Sequence, residues 1–204
     1  GTTGIPKCIV HGVGGTLIQH KKEHMLHCDI KKGDRVFFFS TCGWMMWNWL
    51  ASSLASGATL MLYDGSPFIK NNDNILFDYA EQEKFNFMGV SAKYLDTARK
   101  KALSPRKTHS LDSIKMILST GSALSVDCYD YVYEQVKAEV CLSSISGGTD
   151  IVSCFVLGSP MLPVYRGELQ TRGLGMSVEV WDENGKSVTD EKGELVCIKT
   201  FPSK

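Results

Sequence analysis

The chain alternates short, unbroken apolar runs with longer segments of mixed character. Residues 35–39 (RVFFF) and 59–63 (TLMLY) have no polar alternation. Runs of this length predict strands buried on both faces of a sheet. Residues 85–90, 114–118 and 139–142 read as further strands, and residues 8–11 as a short one. Between them the pattern lengthens into helices at 14–28, 43–56, 74–84, 91–101 and 125–138. Gly57 closes the second helix, and Ser91 and Ser125 stand where N-caps belong. The polar stretch 104–113, with Pro105, reads as a surface loop. Strand–helix alternation of this kind predicts an α/β fold with a mainly parallel sheet flanked by helices.

After Val152 the helical period disappears. Short runs at 167–171, 176–181 and 194–199 take its place, and Asp182-Glu183-Asn184-Gly185 is a turn signal between strands. The expectation is an α/β subdomain over 1–157, followed by part of an antiparallel, β-barrel-like subdomain over 158–204.

Composition narrows the classes. Lys+Arg and Asp+Glu are both 22, so the formal net charge is zero. Nothing in that balance points to nucleic acid or to an anionic membrane. No apolar run approaches the ~18 residues of a membrane span. The 7 cysteines are scattered, without a C-x-x-C pair, which argues against both a disulfide framework and a zinc site. They are expected to be mostly buried, in a reducing compartment. His20, His24 and His27 share a helix face at i, i+4 and i+7, but no carboxylate or cysteine completes a metal site. A solvated helix face is the expectation.

Four stretches carry candidate chemistry. Gly1-Thr2-Thr3-Gly4-Ile5-Pro6-Lys7 packs two glycines, two hydroxyls and an ammonium into seven residues. Exposed N–H groups, hydroxyls and a lysine suit a phosphate chain. Alone, the stretch reads first as an ordinary turn, and its spacing is not that of a P-loop. Thr120-Gly121-Ser122 and Ser146-Gly147-Gly148-Thr149-Asp150 leave predicted strands, where ligands of open α/β sheets bind. Either alone reads first as a glycine-rich turn; three such loops together favour a site. Finally, Trp44-Met45-Met46-Trp47-Asn48-Trp49 starts just past a strand end. Large, soft side chains there can wall a small apolar pocket or simply pack a core.

Residues 1–7 resemble the end of a loop shared by the adenylate-forming superfamily of acyl-CoA synthetases, luciferases and peptide-synthetase adenylation domains. That loop ends Gly, hydroxyl residue, Thr, Gly, any residue, Pro, Lys. Residues 1–7 match its last seven positions, so the chain is expected to be a piece of a longer protein. The resemblance continues in order. Thr120-Gly121-Ser122-Ala123 is similar to the segment that walls the adenine. Gly148-Thr149-Asp150 is similar to a Gly/Gln-Thr-Glu motif, with Asp in place of Glu. Gly193-Glu194-Leu195-Val196 is similar to a later structural motif. The Gly43-Trp44 step is similar to one in the acetyl-CoA synthetase branch, where it lines the acyl pocket.

The resemblance implies a nucleotide site of Thr2, Thr3, Gly4, Lys7, Gly121, Ser122, Ala123 and Gly148. It implies catalytic roles for Thr149, at the α-phosphate, and for Asp150, which would also hold Mg²⁺. It implies an acyl pocket of Trp44, Met45, Met46, Thr120 and Gly147. Gly147 falls where acetate-specific relatives carry a Trp, which would leave room for a carboxylate such as acetoacetate. ATP, Mg²⁺ and coenzyme A are the implied cofactors and co-substrates, in a cytosolic enzyme with no nucleic-acid or membrane partner. The family's ribose-binding Asp and its catalytic-lysine domain match nothing here, and the isolated chain is expected to be inactive. The rival expectations are a synthetase for another short or medium-chain acid and a non-catalytic nucleotide-binding fragment.

Overall fold

The run Arg35–Phe38 (β1) is buried along nearly its whole length, and it forms the hydrophobic spine of the sheet. Residues 8–204 are described by the computed structural model of the chain, and the elements below are those among them. Around β1 the strands Thr59–Met61 (β2), Phe87–Ser91 (β3), Met116–Thr120 (β4) and Cys141–Ser144 (β5) form one five-stranded sheet. Its order is β2-β1-β3-β4-β5, and every neighbouring pair is parallel. This is a doubly wound order, in which the chain builds outward from β1 in both directions.

Side chains alternate between the two faces, as the pleat requires. Phe37, Met88, Val90 and Ile117 point to one side. They pack there with the helices Ile75–Gln82 (α3), Ala92–Lys100 (α4) and Val126–Tyr131 (α5). Val36, Phe38, Phe87, Met116 and Leu118 point to the other side. They meet the helix Met45–Ser52 (α2), the segment following the helix Val13–Lys22 (α1), and the strand Ser153–Leu157 (β7). Both faces are therefore covered, which explains why the strands read as continuous apolar runs.

Several local expectations hold. Gly57, at φ +74°, ends the helical turn after α2. The Ser91 hydroxyl accepts the Tyr94 N–H at 3.1 Å, capping α4. Others are corrected. Residues 8–11 form no strand. β2 is an edge strand with Thr59 exposed, so it is not buried on both faces. Ser125 begins α5, but its hydroxyl points to Cys128 Sγ at 3.2 Å and not to a backbone N–H. Only Cys28, Cys128 and Cys154 are buried; Cys8 and Cys42 are exposed, and all seven thiols are free.

The largest correction concerns the histidine face. His20, His24 and His27 do share one side of α1 and its π-helical extension Glu23–His27, but that side faces inward. Their exposures are 0%, 0% and 3%. The element packs its polar side against β7 and the α2 region, while Val13, Ile18 and Met25 on its other side are exposed. His20 Nε2 meets the Val152 carbonyl at 2.5 Å. His27 Nδ1 donates to the Gly158 carbonyl at 2.8 Å, and its Nε2 accepts the Leu174 N–H at 2.9 Å.

Beyond β5 the chain turns antiparallel. Ser146–Gly148 (β6), β7 and Thr171–Arg172 (β8) form a three-stranded sheet. Val178–Trp181 (β9) and Glu194–Cys197 (β10) form a two-stranded one. The Asp182–Gly185 turn closes with Gly185 N–H on the Asp182 carbonyl at 3.0 Å and leads into a bridge between Trp181 and Ser187. No helix among the described residues is long and apolar enough to cross a membrane.

Candidate active site

Parallel strands deliver their carboxyl ends to one edge of the sheet, and the loops leaving them must cluster there. A cleft of about 500 Å³ opens at that edge. One wall is the start of α2, with Trp44, Met45 and Met46. A second is the β4 exit, Thr120 to Leu124. The third is the end of β5 and the β6 strand, Ser144 to Thr149. Three stretches far apart in sequence thus meet around one space.

Each wall has a local cause. The Phe38 ring packs edge-on against the Trp44 indole at 5.7 Å between centroids, which sets the chain as it leaves β1. Met45 and Met46 then fall on the inner side of α2, 9% and 1% exposed, filling core and lining the cleft at once. Gly121 sits at φ +92°, a conformation that glycine adopts without strain. A Cβ there would stand 3.6 Å from the Trp44 ring, so the first two walls come within one side-chain atom of each other at this point. The Thr120 hydroxyl donates to the Ile145 carbonyl at 3.0 Å, and Ile145 N–H donates to the Ser119 carbonyl at 2.8 Å. Those two bonds join the second wall to the third.

The segment 143–150, read from sequence as a loop, is in part a strand. Gly147 and Gly148 pair with Cys154 and Ser153 across a register shift between Ser146 and Gly147. The Thr149 carbonyl accepts the Val152 N–H at 3.2 Å and the His11 Nε2 at 3.2 Å, which fixes the turn from two sides.

Of the residues singled out in sequence, Trp44, Met45, Met46, Thr120, Gly121, Ser122, Ala123, Gly147, Gly148 and Thr149 all line this cleft. Asp150 is exposed in the adjoining turn and is not part of the lining. Thr2, Thr3, Gly4 and Lys7 lie outside the described residues. Trp49 turns away from the cleft into the core, where its indole N–H donates to Glu23 Oε2 at 2.9 Å.

The sequence reading missed Tyr129, Ser153, Cys154, Gly167, Glu168 and Leu169, which complete the lining. Glu168 arrives on the stretch between β7 and β8, and the Tyr129 hydroxyl holds its carbonyl at 2.6 Å. Only the Gly167-Glu168 step hinted at a loop carrying a carboxylate. Among the described residues no cluster of three His, Cys, Asp or Glu could hold a metal by itself. Asp150 offers one exposed carboxylate in the turn beside the cleft, and Mg²⁺ takes only one or two protein carboxylates when phosphates and water complete its shell.

The chain is similar over nearly all its length to several proteins named acetoacetyl-CoA synthetase and to a malonamoyl-CoA synthetase of Penicillium aethiopicum, the latter 46% identical over 96% of this chain and 29% of that protein. Acetoacetyl-coenzyme A synthetase of Rhizobium meliloti (strain 1021) is 61% identical over 203 residues, covering 100% of this chain and 31% of that protein. Acetoacetyl-CoA synthetase of Mus musculus is 52% identical over 202 residues, 99% of this chain and 30% of that protein. In three dimensions, the structure of acetoacetyl-CoA synthetase from Streptomyces lividans superposes with a TM-score of 0.91 at 42% identity. It matches 99% of this chain and 32% of its own. This chain therefore spans about a third of the length of these relatives. The family model for AMP-binding enzymes matches residues 1–200, and the chain belongs to that family.

Proposed function

We propose that this chain forms the carboxylate and nucleotide cleft of an ATP-dependent acid–thiol ligase that joins acetoacetate to coenzyme A through an acyl-adenylate. The observation that carries the reading is the single cleft shared by the Trp44-Met45-Met46 wall, the Gly121-Ser122-Ala123 exit and the Gly147-Gly148-Thr149 strand. Apolar side chains on one side and small, hydroxyl-bearing residues on the other suit a short acyl group lying beside a nucleotide.

In the first half-reaction an oxygen of the carboxylate attacks the α-phosphorus of ATP and pyrophosphate leaves. In the second, the coenzyme A thiol attacks the acyl carbon and AMP leaves. The first step needs orientation and charge stabilisation more than covalent chemistry. Holding reactants in line supplies as much as ~7–11 kcal/mol of a barrier in favourable cases. Gly121, Ser122 and Ala123 would flank the adenine, and the Gly148 backbone and Thr149 hydroxyl would face the α-phosphate. Met45, Met46 and Trp44 would exclude water from the acyl group, with Thr120 and Gly147 bounding it. Asp150 would hold Mg²⁺, which supplies charge neutralisation at the phosphates when bound. Thr2, Thr3, Gly4 and Lys7 would bind the outer phosphates. Free thiols at all seven cysteines fit a reducing, cytosolic setting.

The test is pyrophosphate release by the full-length protein across a panel of carboxylates. Acetoacetate is expected to be used best. Use of butyrate with no use of acetoacetate would favour a ligase for another short-chain acid.

A further inference from the structure

An isolated carboxylate is costly to bury, and burial of this kind is weak evidence for stability. Glu23 is nonetheless 0% exposed, on the inward face of the turn that follows α1. The carboxylate bridges two different parts of the molecule, and Oε2 touches both, since it also lies 3.8 Å from Cys154 Sγ. Oε2 accepts the Trp49 indole N–H at 2.9 Å. Oε1 accepts the Ser153 hydroxyl and the Gln19 amide at 3.2 Å, and lies 3.5 Å from the Cys154 N–H. Gln19 also donates to Ser153 Oγ at 2.7 Å. Lys22 Nζ stands 3.9 Å from Oε1, and burial lowers the pKa of that ammonium.

The partners of Glu23 are the backs of two cleft walls. Trp49 lies one helical turn beyond Met45 on α2, whose Met45 and Met46 form the apolar wall. Ser153 and Cys154 line the cleft themselves and pair with Gly148 and Gly147 on the facing strand. One carboxylate therefore clamps α2 to the β6–β7 hairpin from behind. We infer that Glu23 is a positioning residue that sets the width of the acyl end of the cleft, and with it the carboxylate the site accepts. This rests on the reading of the cleft given under Proposed function.

Glu23→Gln tests it with almost no change in volume. An amide keeps its acceptor oxygen at one end only: with that oxygen on Trp49, the NH₂ faces the Cys154 N–H and forces Ser153 to accept instead of donate, and with the amide reversed it faces the Trp49 N–H. Trp49→Phe removes the same link from the other end and leaves the carboxylate with its hairpin partners. Both are assayed in the full-length protein by pyrophosphate release with acetoacetate and with straight-chain acids of four to eight carbons. The expected result is a rise of about tenfold in KM for acetoacetate, a relative gain for the longer acids, and a KM for ATP within roughly twofold of the parent.

A purely structural role would lower yield or melting temperature while leaving carboxylate KM and chain-length preference in place. That result, in either variant shown to be folded by circular dichroism, would overturn the inference. A parent protein that releases pyrophosphate with none of the acids would overturn the proposed function, and the inference with it. An active parent with unchanged variants overturns the inference alone.

Discussion

The Ser153 carbonyl oxygen stands where a side chain on Gly147 would begin. An ideal Cβ at Gly147 would fall 2.2 Å from that oxygen and 2.7 Å from the Cα of Cys154. The hairpin behind the cleft is thus closed so tightly that position 147 has no room for a methyl group. From sequence, Gly147 read as space left for a larger substrate. The structure adds that the β6–β7 pairing itself requires the glycine.

This sets a contrast within one strand. Gly147→Ala is expected to cost about 1–3 kcal/mol, because backbone must move to admit the methyl. Gly148→Ala, with nothing within 4 Å of its Cβ, is expected to change stability by less than about 0.5 kcal/mol. Thermal unfolding of the two variants compares them directly, and equal losses would contradict the packing described here.

Gly121 is expected to resist substitution for a different reason. Its φ of +92° strains any side-chain-bearing residue, by about 1–2 kcal/mol. The neighbouring Trp44 ring, at 3.6 Å, is only in ordinary contact. Gly121→Ala should therefore lose stability equally in the parent and in a Trp44→Phe background. Rescue by Trp44→Phe would show that crowding, not backbone strain, is responsible.

Acid should destabilise the fold through the buried imidazoles. Desolvation lowers the His24 pKa to about 3, helped by the neighbouring His20 and only weakly opposed by a backbone contact at Trp49. Burial also lowers His20 and His27. Below the unfolded-state value of about 6.5, the unfolded chain binds protons that the native chain refuses. Stability is then complete above that pH. It should fall by about 1.4 kcal/mol per pH unit for His24 alone on going down toward 3. Urea midpoints between pH 7.5 and 5 would show it, and His24→Phe should flatten part of the slope. The Phe ring can keep the edge-on contact that His24 makes with Trp49 at 4.3 Å.

Thr149 offers a test at the reacting end. It is exposed and lines the cleft, so Thr149→Val should leave stability within about 0.5 kcal/mol. If its hydroxyl stabilises charge at the α-phosphate, pyrophosphate release by the full-length protein should fall about 100-fold. An unchanged rate would remove Thr149 from the proposed mechanism.

The sequence alone determined the inner strands of the parallel sheet, because burial on both faces leaves unbroken apolar runs such as Arg35–Phe38. It also marked the glycine and hydroxyl stretches that supply part of the cleft lining, while Tyr129, Ser153, Cys154 and residues 167–169 came only with the fold. Spacing placed His20, His24 and His27 on one helix face, but it could not say that this face is the inner one. A helical period records which residues share a side, and ordinarily polarity then assigns the side. In α1 polarity misleads, because Gln19, Glu23 and the histidines find partners on β7, α2 and the loops behind them. Those partners lie up to 157 residues away in the chain, at Met176. Only tertiary packing brings such groups together, so only the folded structure shows Glu23 joining two walls of the cleft and Gly147 pressed against Ser153.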